Sequence, residues 1–192
     1  MKRKIYTQLV DWKSQEHHKP LILNGVRQCG KTYILKEFGL NEFDNLAYVS
    51  CDRNENLHAI YAGDFDTARI IRGLSALTGV DIIPGKTLIF LDEVQAFPQA
   101  LEALKYFCED APEYHIVVAG SLLGVALHAG VSFPVGKVQT MRLFPMDFEE
   151  FLMAMGEDQL LKLMHSKDYE LMNAFRKVER LFAPILLRGW NA

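Results

Sequence analysis

Cysteine is scarce in this sequence, with three residues, Cys29, Cys51 and Cys108, among 192. The number is odd and the spacings are wide, so neither a disulfide framework nor a zinc pattern can be read from them. A reducing, cytosolic setting is the expectation. The six histidines do not cluster along the chain, and the adjacent pair His17-His18 is expected at the surface. No apolar run approaches the ~20 residues needed to span a bilayer, so no membrane association is expected. The basic start, Met1-Lys2-Arg3-Lys4, leads into Ile5-Tyr6-Thr7-Gln8 rather than into the apolar core and cleavage site of a secretory signal. Positive charge is not in excess either: 21 Lys and Arg against 24 Asp and Glu give a formal net charge of −3. A dedicated nucleic-acid binder is usually basic, so nucleic acid is not indicated as a partner.

What is present is ordinary for a globular chain, at 49% hydrophobic and 23% charged residues. The length supports one domain, or one domain with a small appendage. Ile5, Leu9, Val10 and Trp12 recur at near-helical spacing and predict a first helix over residues 5–16, broken by Pro20. Leu21-Ile22-Leu23 reads as a short buried strand. Residues 33–38 then read as a helix with Gly39 as its stop. Further strands are predicted at 46–50, 87–91, 115–119 and 138–143, separated by helical patterns at 54–79, 98–108 and 122–128. Strands alternating with helices argue for an α/β fold with a parallel sheet covered on both faces. The remainder, residues 148–192, is expected to be a helical segment, the start of a lid or linker, with a stripe of Leu171, Phe175, Val178 and Phe182. Residues 1–147 are expected to form the core.

Gly25-Val26-Arg27-Gln28-Cys29-Gly30-Lys31-Thr32 fits the P-loop pattern G-x-x-x-x-G-K-[ST] at every fixed position. The chemistry explains the residue types. A phosphate chain carries charge that must be desolvated, and a loop of main-chain N–H groups opening onto a helix N-terminus offers donors with no side chains in the way. Gly25 and Gly30 permit the close approach. Lys31 supplies a mobile positive charge at the phosphates, and the Thr32 hydroxyl is a hard oxygen ligand for Mg²⁺. The whole loop, with Tyr33 after it, is the expected nucleotide-binding segment. The pattern sits where it must, after an apolar strand and before a helix.

A second signal is Leu88-Ile89-Phe90-Leu91-Asp92-Glu93, four apolar residues that deliver two carboxylates to a strand's C-terminal end. Ligands bind at that end of a parallel α/β sheet. Asp92 is expected to hold the magnesium and Glu93 to act as general base on an attacking water. No Asn-Lys-x-Asp run for reading guanine is present, which favours ATP.

Smaller signals leave alternatives open. Ser121 follows a strand and either senses the γ-phosphate or attacking water, or caps a helix. Arg27, Gln28 and Gln95 are polar groups expected near the phosphates. Cys29 is either a redox-sensitive thiol or a small filler. Lys137 and Arg142 are each either a cation reaching a phosphate, on this subunit or a neighbour's, or a solvated charge. A trans arginine contributes ~10³–10⁵ in rate, so its presence would decide whether hydrolysis is fast. These residues are compatible with three activities: ATP hydrolysis coupled to a conformational change, a nucleotide-binding switch with little hydrolysis, and a weaker third, phosphotransfer to a small molecule. A homo-oligomer or a protein partner is compatible with each.

The combination resembles a group of prokaryotic AAA-type ATPases whose longer members carry a C-terminal nuclease-like region. The resemblance runs over about residues 3–165, through Lys19-Pro20-Leu21-Ile22-Leu23, the P-loop, residues 87–95, Gly120-Ser121-Leu122-Leu123-Gly124 and Phe144-Pro145-Met146-Asp147-Phe148. It implies a five-stranded sheet in the order 5-1-4-3-2, with Lys31, Thr32, Asp92, Glu93 and Ser121 in the roles given above. Cys29 stands where an aliphatic residue is usual. The resemblance further implies a chain that continues past residue 192 into additional helices and a C-terminal domain.

Overall fold

The computed structural model describes residues 3–120, 134–168 and 171. Two compact units emerge, one spanning Lys4–Pro145 and the other joining Arg3 to the residues from Met146 on. The first unit runs α1 (Ile5–Lys13), β1 (Leu21–Gly25), α2 (Lys31–Glu42), β2 (Asn45–Ser50), α3 (Asn56–Ile60), α4 (Thr67–Thr78), β3 (Thr87–Asp92), a 3₁₀ turn (Val94–Ala96), α5 (Gln99–Asp110), β4 (His115–Gly120) and β5 (Gln139–Leu143). The second unit contains α6 (Phe148–Met155) and α7 (Asp158–Ser166). The expected helix at 122–128, and the apolar stripe beyond Leu171, lie outside the described residues.

The five strands form one sheet in the order β2-β3-β4-β1-β5, every pair parallel. That is the order the resemblance implied. The burial of each strand explains its place. β3 and β4 are buried at every residue and lie inside the sheet. β2 and β5 alternate buried or half-buried with more exposed positions and form its edges. Because successive side chains point to opposite faces, β3 divides its apolar run between two cores. Leu88 and Phe90 pack with Trp12 of α1 and with Ile34 and Phe38 of α2. Ile89 and Leu91 pack with Ile70 and Leu74 of α4 and with Leu104 and Phe107 of α5. Helices therefore cover both faces.

Gly39 does not end α2. The helix passes through it to Glu42 and stops where buried Phe43 turns extended, at φ −124° and ψ 158°. A Cβ at Gly39 would lie 2.7 Å from Leu46 Cδ1 and 3.2 Å from Leu88 Cδ2. The glycine thus lets the helix ride close on the sheet. Two other helix ends do follow local rules. Asp66 caps α4 by accepting from the Arg69 N–H at 3.2 Å, and Gly79 closes it in the left-handed conformation. In the second unit Asp147 and Glu150 form a capping box, and the Glu150 carboxylate also meets buried Arg3 Nε at 3.1 Å.

His18 departs from its expected surface position. It is half-buried, and its ring stacks on His115 with centroids 3.8 Å apart and planes 8° apart. Trp12 meets both rings edge-on, and Phe43 meets His115. Residues 97 positions apart in sequence cannot be paired by periodicity; the sheet order brings them together at the N-terminal ends of β1 and β4.

Candidate functional site

The C-terminal ends of β1 and β3 carry the two predicted motifs. β1 ends at Gly25, and the chain turns over Val26–Cys29 before entering α2. Two residues of this turn take the left-handed conformation, Gln28 at φ 63° and Gly30 at φ 96°. Gly30 costs little there, whereas Gln28 is strained. Gly25 is required for a different reason. A Cβ would lie 2.6 Å from the Leu143 carbonyl oxygen and 2.8 Å from Cys29 Sγ, so the loop is drawn tightly against β5.

Lys31 is buried at 8% exposure, and its ammonium donates to the main-chain carbonyls of Gly25 at 2.9 Å and Val26 at 2.8 Å. The lysine therefore closes its own loop. Cys29 Sγ lies 3.9 Å from the same nitrogen. Gly30, as the residue before α2, offers no side chain to cap the helix, and the first turn of α2 has no acidic residue. The first N–H groups of this 12-residue helix therefore have no capping side chain, and the helix dipole makes their potential positive. Val26, Arg27, Gln28 and Tyr33 are exposed.

Across the sheet, Thr32 and Asp92 meet. The Thr32 hydroxyl donates to Asp92 Oδ2 at 2.7 Å, linking residues sixty positions apart. Asp92 is buried at 4% exposure, and its other oxygen accepts from the Glu93 N–H at 3.0 Å. Glu93 follows at φ 53°, a left-handed conformation unusual for a residue with a side chain. Gln95, from the 3₁₀ turn, donates through Nε2 to the Glu93 carboxylate.

Tyr48 and Cys51 were not singled out in the sequence. Tyr48 sits on β2 in register with Phe90, and its hydroxyl donates to Asp92 Oδ2 at 3.4 Å. Lys36 of α2 lies over its ring at 3.5 Å. Burial, and then the Asp92 charge, raise the Tyr48 pKa above its usual value. Cys51 is buried, and desolvation together with Asp92 and Glu93 pushes its thiol up to about 12. It stays protonated at neutral pH. The signal that could have found both is the strand order, which places β2 beside β3.

The two predicted cations go different ways. Arg142 is exposed on β5, in register with Asn24, and its guanidinium lies over the Phe144 ring at 5.0 Å. Lys137 pairs with Glu109 at 2.9 Å, just before β5 begins and so at the end of the sheet away from the loop. Of its two readings the structure supports the surface charge. Ser121 lies outside the described residues.

The donors present fit a magnesium–triphosphate. Thr32 and Asp92 supply hard oxygens, and the uncapped α2 N-terminus with Lys31 supplies positive potential beside them. A parallel sheet in this order, with a glycine loop entering a helix beside an acidic strand end, defines an α/β domain of the P-loop nucleotide-binding class. A model of the family described as AAA domain matches residues 17–152, well over half of the chain, and the chain belongs to that family of nucleotide-binding domains. Among curated proteins, none matches the chain. Among the described residues no helix is long and apolar enough to cross a membrane.

Proposed function

We propose that this chain binds Mg–ATP and hydrolyses it, coupling turnover to a change of shape. The observation that carries the reading is the 2.7 Å contact between Thr32 and Asp92, with Glu93 directly after Asp92. A coincidental glycine turn would have no reason to touch the acidic end of another strand. In this reading, the main-chain N–H groups of residues 26–32 and the Lys31 ammonium bind the phosphates, Lys31 giving up its contacts to Gly25 and Val26. Thr32 and Asp92 hold the magnesium, which when bound neutralises phosphate charge. Glu93 accepts a proton from a water as the water oxygen bonds to the γ-phosphorus. The bond from that phosphorus to the β–γ bridging oxygen breaks, ADP leaves with the oxygen, and the proton passes to solvent.

Ser121 and Arg142 are the proposed additional phosphate contacts, Arg142 from its exposed position on the edge strand, in reach of a second copy. Residues 1–147 serve as the nucleotide core and 148–192 as a helical segment that responds to it. A division of the chain near Pro145 favours that assignment. That none of the three cysteines is in a disulfide suits a cytoplasmic setting.

The test is Glu93→Gln. Steady-state phosphate release is expected to fall by ~10²–10⁴, while Mg–ATP affinity by calorimetry stays within a few-fold. Turnover close to that of the unsubstituted chain would remove Glu93 as the base.

A further inference from the structure

We infer that Gln95 is the positioning residue for Glu93, fixing which carboxylate oxygen is free to take the water's proton. The inference rests on the hydrolytic reading above and adds a residue to it. A glutamate at the mouth of a site has three rotatable bonds, and left alone it samples many rotamers. Here its backbone and its carboxylate are both held. The backbone is left-handed at φ 53°, opening a 3₁₀ turn in which the Ala96 N–H donates to the Glu93 carbonyl at 2.9 Å and the Phe97 N–H to Val94 at 3.0 Å. Val94, fully buried, and Phe97, at 4% exposure, anchor that turn in the core beneath the sheet. With the apolar residues of the turn pinned, its two polar side chains are forced onto the same side, and Gln95 Nε2 donates to Glu93 Oε2.

The orientation of the Gln95 amide follows from chemistry. An amide oxygen turned toward a carboxylate would set acceptor against acceptor, so the NH₂ group faces Glu93. That choice has a consequence at the other end of the amide. Gln95 Oε1 is buried and has no hydrogen-bond partner among the described residues. Buried acceptors are seldom left without a donor, and one that is calls for an explanation. The amide thus holds Glu93 Oε2 while its own oxygen goes without a donor, and Glu93 Oε1 is the carboxylate oxygen left for the water. A structural role alone would have been met as well by an apolar side chain packed against Val94.

The experiment is a double-mutant cycle on the whole chain, with Gln95→Leu made alone and together with Glu93→Gln. Alone, Gln95→Leu is expected to lower kcat by about tenfold to a hundredfold with KM and Mg–ATP Kd within threefold, the signature of an interaction used in the reaction rather than in binding. Its thermal midpoint should be unchanged or higher, because the buried acceptor has gone. In the Glu93→Gln background the same substitution should cost less than about twofold, because Gln95 acts through Glu93. Gln95→Glu, which keeps the shape but sets charge against charge, should lose more turnover than Gln95→Leu and serves as the second variant if the leucine misfolds.

Unchanged kcat in both Gln95 variants overturns the inference while leaving the base in place. An equal loss in both Glu93 backgrounds also overturns it, since Gln95 would then act elsewhere. Unimpaired turnover in Glu93→Gln alone removes the base assignment, and this inference falls with it.

Discussion

The two ends of the sheet are built for opposite purposes. At the C-terminal ends of β1 and β3, polar groups gather around a tight loop. Gln28 and Glu93 sit in left-handed conformations, a buried lysine closes on main-chain carbonyls, and a buried aspartate accepts from a threonine on α2. At the N-terminal ends of β1 and β4 lies a box of rings, Trp12, His18, Phe43 and His115, with the Trp12 indole donating to the Lys19 carbonyl at 2.8 Å. One end stores backbone strain beside buried charges; the other is dominated by ring packing, with His115 Nδ1 buried there without a hydrogen-bond partner among the described residues. Strained, polar sites are tolerated where the surrounding fold over-determines them, and here the two cores flanking β3 do so. The comparison predicts that stability and nucleotide chemistry can be damaged separately.

The sharpest way to break that separation is Trp12→Ala. The side chain is fully buried, and its loss should cost about 3–5 kcal/mol of unfolding free energy in urea titration. The fraction still folded should bind Mg–ATP with unchanged affinity. A change in affinity would mean that the aromatic end supports the site directly.

Gly25→Ala probes the other end. Its Cβ would collide with the Leu143 carbonyl, and the loop must move away from β5. Mg–ATP affinity should fall more than tenfold by calorimetry, against a smaller loss of stability, about 1–3 kcal/mol. Full affinity in this variant would show that the close approach does not shape the phosphate cradle.

Acidification should act at the aromatic end. Desolvation, and then the neighbouring His18, lower the His115 pKa to about 4, and desolvation lowers that of His18 as well. Both rings stay neutral in the fold but take up protons in the unfolded chain near pH 6.5. Stability is therefore full above about pH 6.5 and declines as pH falls toward 4, by up to roughly 3 kcal/mol for His115. Urea titrations across that range should show the decline, and His115→Phe should flatten it. A pH-independent midpoint in the parent chain would contradict the burial argument.

The smallest effect is expected at the Lys137–Glu109 pair, where both side chains are partly exposed. Glu109→Ala should leave stability and phosphate release unchanged within error. A loss of turnover would return Lys137 to the site.

Much of the candidate site was legible because its signals are local. The loop from Gly25 to Thr32 and the run from Leu88 to Glu93 are contiguous, and each states its chemistry in a few adjacent residues. Gln95 could be named as a polar group near the phosphates, but not as a partner of Glu93, because that pairing depends on a 3₁₀ turn anchored by Val94 and Phe97. Gly39 misled for a related reason. A glycine near a helix end looks like a stop, and only the approach of Leu46 and Leu88 reveals that it is there for clearance. Lys137 and Arg142 lie five residues apart, near enough to look equivalent, yet β5 carries them to different ends of the sheet.

The chain's own alphabet settled the α/β class, the glycine loop between β1 and α2 and the acidic strand end, because apolar periodicity and backbone-permissive glycines act over a few neighbouring residues. The tertiary structure alone decided that Tyr48 would stand over Asp92, that His18 would stack on His115, and that Gly39 would face the sheet. Those contacts depend on which strand lies beside which. That choice is made by burying two apolar faces at once, and no short stretch of sequence contains it.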